Sequence, residues 1–123
     1  MTASISLTEA LDEIWKSRRP RLQVSEEVGR KLSDRDLKLV GEIERRFTVP
    51  ALENSEEGQT PSRILAAFQV ARDHSDGLAY LPAPERKKRM EEYAQDIGVP
   101  ITLFIQLCSS WPVIERFIAS WED

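Results

Sequence analysis

Residues 99–121, VPITLFIQLCSSWPVIERFIASW, are the most apolar stretch of the chain. Ile101, Leu103, Phe104, Ile105, Leu107 and Cys108 make the first part apolar nearly all round. A short apolar run of this kind suits a buried strand or a buried helix. No second strand-like segment exists in the chain to pair with it, so the helix reading is preferred. Trp111-Pro112 reads as a break, because proline lacks the N–H that a helix interior needs. A last helix then carries Val113, Ile114, Phe117, Ile118 and Trp121. An all-round apolar helix at 101–108 needs cover on every side.

Upstream, Pro84 opens a helix through Ile97, with Met90, Tyr93, Ala94 and Ile97 facing inward. Gly98 follows at C′, where the left-handed conformation costs glycine nothing. Before it, Thr60-Pro61 is a start signal, with threonine at the N-cap and proline at N1. Ile64, Leu65, Phe68 and Ala67 or Ala71 give the stripe of that helix, and Gly77 is a candidate end. Residues 48–59, TVPALENSEEGQ, lack periodicity and read as an acidic loop. Ser33 and Asp36 cap a helix over about 34–47, with Leu37, Val40 and Phe47 as its stripe and Leu39 and Ile43 widening it. Gly41 in its middle marks a tolerated surface position or a close helix crossing. Ser25 is read as the cap of a short helix with Glu26 and Glu27 in its first turn. Ser6 and Glu9 form a capping box, and Leu7, Leu11, Ile14 and Trp15 follow as one apolar stripe that ends at Pro20. A helix so short must dock to persist, and residues 1–20 are a candidate peripheral docking helix. The sum is an all-α chain, a single compact domain of five to seven short helices across residues 1–123.

The chain has 123 residues, 41% of them hydrophobic and 31% charged, enough for a core without staples. No run approaches 18 apolar residues, so no membrane-spanning helix is expected. The first residues carry acids and no basic stretch, unlike a secretory signal. These features point to the cytoplasm. A formal charge of -4 gives no global attraction to nucleic acid. Two basic clusters stand out, Lys16, Arg18, Arg19, Arg21 and Arg86, Lys87, Lys88, Arg89.

Chemistry is hard to place. One cysteine and one histidine exclude a thiolate zinc cluster and histidine-rich metal sites. Phosphate-binding glycine loops, zincin motifs and nucleophile elbows are absent. Asp73, His74, Ser75 and Asp76 are the one cluster of catalytic residue types. Adjacent helical residues point about 100° apart, so they do not face one another as a triad requires. Cys108, in the most apolar stretch, reads as a small buried hydrophobe. No enzyme activity, cofactor or metal is expected.

Two binding readings remain. Residues 90–107, MEEYAQDIGVPITLFIQL, fit the generic helix-turn-helix pattern. Ala94 is the small residue and Gly98 the turn, while Tyr93, Ile97, Val99, Phe104 and Leu107 pack the helices together. In that reading Arg86, Lys87, Lys88 and Arg89 hold phosphates, and Thr102 and Gln106 reach the bases. The second helix would show Pro100, Ile101, Thr102, Ile105 and Gln106, and only two of these can hydrogen-bond to a base. The other reading is a non-enzymatic protein–protein interaction module: an adaptor, regulatory subunit or inhibitor-like protein. It rests on Trp15, Trp111 and Trp121, with Leu11 and Phe117, on helices near the chain ends. The partner is another protein or a second copy in a homodimer. Nucleic acid comes second, and no membrane is expected.

Overall fold

The computed structural model describes residues 4–48 and 61–122. They form six helices and no strand, namely α1 (Leu7–Lys16), α2 (Arg21–Gly29), α3 (Asp34–Phe47), α4 (Pro61–Ala79), α5 (Ala83–Ile97) and α6 (Ile101–Glu122). An isolated bridge between Ile5 and Leu32 ties the start of the chain to the α2–α3 turn. The acidic loop and the Thr60 cap lie outside the described residues, apart from Thr48 at the end of α3.

Local chemistry sets several helix ends. The Ser6 Oγ accepts from the Glu9 N–H at 3.1 Å, and the Glu9 carboxylate accepts from the Ser6 N–H at 3.4 Å. Ser33 accepts from the Asp36 N–H at 3.2 Å. Gly98 caps α5 at φ 84 and donates its N–H to the Ala94 carbonyl at 2.8 Å. There Arg63 donates to the Gly98 carbonyl at 3.4 Å, placing a cation at the negative end of α5.

α4 is the axis of the fold. It touches each of the other five helices. Every residue from 64 to 71 is buried, and three alanines among the larger side chains let neighbours approach closely. Gln69 is the polar member of that run, 1% exposed. It accepts from Arg21 Nε at 2.7 Å and donates to Asp73 at 3.0 Å. Arg72 continues the chain of bonds, donating to Asp73 at 3.0 Å and to Asp12 at 2.8 Å. α1 and α2 are thus joined to α4 by paired polar groups as well as by apolar packing.

Three readings of the sequence are corrected. The helix after residue 100 does not break at Pro112 but runs unbroken for 22 residues. Trp111, Ile114 and Ile118 continue the buried face set by Leu103, Phe104 and Leu107, while Pro112 lies on the exposed side. Packing on both sides of the proline outweighs the backbone hydrogen bond it removes. The unbroken α6 is long and apolar enough by length and composition to cross a bilayer, a test that the expected break concealed. Second, α2 starts at Arg21, directly after Pro20, and Ser25 is buried in its middle. The Ser25 hydroxyl donates to the Arg21 carbonyl at 2.8 Å, one turn back, and caps nothing. Third, the stripe of α3 is Leu39, Val40 and Ile43, with Leu37 turned outward at 39% exposure. Gly41 is exposed, and a Cβ there would meet nothing within 4 Å, so it marks no close crossing.

Candidate interaction surface

The two faces of α6 differ sharply. Leu103, Phe104, Leu107, Trp111, Ile114 and Ile118 recur at three- and four-residue steps and are buried. The opposite face carries Thr102, Ile105, Ser109, Pro112 and Val113, all exposed. Ile105 is 40% and Val113 47% exposed. No charged residue occurs between Asp96 and Glu115, so this face is uncharged along more than half the helix. Helix 101–108 is therefore not surrounded, as its sequence suggested. Its hydroxyl and amide residues, Thr102, Gln106 and Ser109, let water cover the outer side.

Leu11 and Trp111 are not available to a partner. They are 1% and 4% exposed, because α1 lies on α2 and α4 and because the Trp111 ring sits 6.1 Å from the Phe68 ring of α4. The helices near both ends of the chain have a common neighbour in α4. Phe117 and Trp121 are half-buried against each other, their rings 6.0 Å apart. Phe47 of α3 lies 6.0 Å from Phe117, Arg46 sits 5.0 Å over the Phe117 ring, and Arg35 donates to the Trp121 carbonyl at 2.5 Å. α3 thus covers much of this pair. The indole N–H groups of Trp111 and Trp121 are buried and have no hydrogen-bond acceptor among the described residues.

Trp15 is 53% exposed. It belongs to a row of rings that sequence spacing does not reveal, since each ring comes from a different helix. Trp15 meets His74 edge-on at 5.7 Å, His74 stacks on Tyr93 at 5.4 Å, and Tyr93 lies 6.0 Å from Phe104. Burial holds the His74 imidazole below its ordinary proton affinity, and the charge of Arg21 adds to this, while Asp73 pulls the other way. Asp73, bonded to Arg72 and Gln69, is a member of the polar chain. Burial pushes the half-buried Cys108 thiol up to about 12, so it stays protonated near neutrality. Among the described residues no cluster of metal-ligating side chains comes together.

The corner expected near 90–107 is formed by α5, Gly98 and α6. Ile97, Val99, Phe104 and Leu107 are buried in it, with Tyr93 half-buried. The basic residues upstream do not make one face. Arg86 is half-buried while Lys87, Lys88 and Arg89 are exposed, and four successive residues at about 100° each wrap around a helix. Lys88 and Arg89 share a crease with Glu85 and Glu92. Thr102 is exposed and Gln106 half-buried on α6. In the other basic cluster, Arg19 is bound to Glu27 through two bonds of 2.8 and 2.5 Å, and Arg21 to Gln69. No protein-family model matches this chain, and neither a curated protein nor a solved structure matches it.

Proposed function

We propose that the chain acts by binding, as a small protein–protein interaction module that docks through the outer face of α6. The observation that carries this reading is the uncharged, partly aliphatic surface of Ile101, Thr102, Ile105, Ser109 and Val113 on a helix firmly anchored by its other face. Single exposed apolar residues are ordinary, but a continuous helix face without charge suits packing against another surface. Such a face needs no catalytic group and fits an adaptor, regulatory subunit or inhibitor-like protein. The other protein supplies a matching apolar groove, and a second copy of this chain is one form it takes.

A second reading, DNA contact by the α5–α6 corner, has the Gly98 turn geometry in its favour. It is weakened by the mixed charge around Arg86 to Arg89 and by the lack of a cation on the outer face of α6 before Arg116. The two readings separate in one experiment. Wild-type chain and an Ile105→Glu/Val113→Glu variant are used to capture partners from source cells, each with and without nuclease. Docking through α6 predicts a stoichiometric protein that survives nuclease and is lost with the variant. Retention by both forms, or loss on nuclease treatment, contradicts it. Light scattering of the purified chain tests the homodimer in the same pair.

A further inference from the structure

A shallow pocket of about 150 Å³ opens between the C-terminal part of α4 and α5, lined by His74, Gly77, Leu78, Leu81, Arg89 and Tyr93. Its walls are mainly apolar: two leucines and the Tyr93 ring, on which His74 stacks at 5.4 Å. Gly77 leaves its side open, since a Cβ there would meet nothing within 4 Å. The pocket is open to solvent, so the body of a ligand would rest on this apolar floor and not be enclosed by it. Arg89 brings the pocket's fixed charge, and its planar guanidinium matches a carboxylate through two parallel hydrogen bonds.

We infer that this pocket binds a small monocarboxylic acid with a single ring or a branched alkyl body. The body lies on Leu78, Leu81 and Tyr93, and the carboxylate pairs with Arg89. The adjoining crease sets the charge of the ligand. It holds Glu85 and Glu92 beside Lys88 and Arg89, so the surroundings of Arg89 are close to neutral. A polyanion such as a phosphate chain meets two carboxylates there, whereas one carboxylate needs only Arg89. The site is independent of docking through α6, and neither proposal requires the other.

The test is titration of the full chain with 3-phenylpropionate and with its neutral amide, followed by amide and ring NMR signals. Saturable shifts are expected at Gly77, Leu78, Leu81 and Tyr93, with the amide bound about tenfold more weakly. The resolved indole N–H signal of Trp15 gives a second readout, because its ring packs edge-on against His74 at 5.7 Å. Arg89→Gln should abolish the preference for the acid. Gly77→Leu should abolish the shifts while the fold is kept, as leucine favours the helix and its Cβ enters open space. Equal affinity for acid and amide, shifts scattered away from the pocket, or unchanged binding by Gly77→Leu would overturn the inference.

Discussion

α4 and α6 are the two longest helices, and they solve opposite problems. α4 is enclosed from 64 to 71 by five neighbours, although its sequence, ILAAFQVA, holds three alanines and a glutamine. α6 is richer in large apolar side chains, yet it is covered on one side and leaves Ile105 and Val113 in water. Hydrophobicity alone therefore does not locate the centre of this fold. Small residues do, because alanine lets several helices approach one axis at once, whereas bulky residues hold neighbours away. The surplus of apolar side chains on α6 is what makes its outer face a candidate docking surface.

The largest expected effect follows directly. Phe68→Ala removes a fully buried ring from the axis and should cost about 3–5 kcal/mol, while Val113→Ala on α6 should stay within about 0.5 kcal/mol. Urea unfolding of the two variants measures both, and similar losses would break the contrast. Next comes Gln69→Leu. It keeps the volume at the axis but strips Arg21 and Asp73 of their shared partner, for a loss of about 1–3 kcal/mol. An unchanged midpoint would mean that shape alone sustains α4.

Gly98→Ala tests the turn from α5 into α6, where Arg63 of α4 packs. The φ of 84 suits glycine, and a new Cβ would approach the Arg63 side chain to 3.3 Å. A loss of about 1–2 kcal/mol is expected in thermal melts. The smallest effect concerns pH. Because the fold lowers the proton affinity of His74, the unfolded chain takes up that proton first as pH falls. The contribution of His74 to stability is whole above its ordinary value of 6.5 and declines as pH drops through it. Comparing wild type with His74→Phe between about pH 5 and 8 should show the gap moving in the variant's favour on the acid side. A gap independent of pH would contradict the burial of His74.

What the sequence made legible was mostly local. The Ser6–Glu9 box, the Ser33 cap and the Gly98 turn each depend on residues within one helical turn, and each forms as its spacing indicates. The inward residues of the α5–α6 corner were legible too, since periodicity alone sorts Ile97, Val99, Phe104 and Leu107 from Thr102 and Ile105. The misread positions are those where distant packing overrides a local signal. Pro112 breaks no helix because its neighbours on the buried face are held by α4 and α3. Ser25 caps nothing because Val24 and Val28 draw the helix start back to Pro20. Leu11 and Trp111 were offered as interface residues because sequence cannot show that α4 already covers them. The ring row through Trp15, His74 and Tyr93 joins three helices and leaves no trace in spacing.

The proposed docking sets the outer face of α6 apart from the enclosed axis and from the basic end of α5. Hydrogen exchange of the chain, free and in its nuclease-resistant captured complex, tests this most directly. Docking through α6 should bring new protection across 101–113, with 64–71 slow in both states and 86–89 unchanged. Protection confined to 86–89, or none on α6, would contradict it.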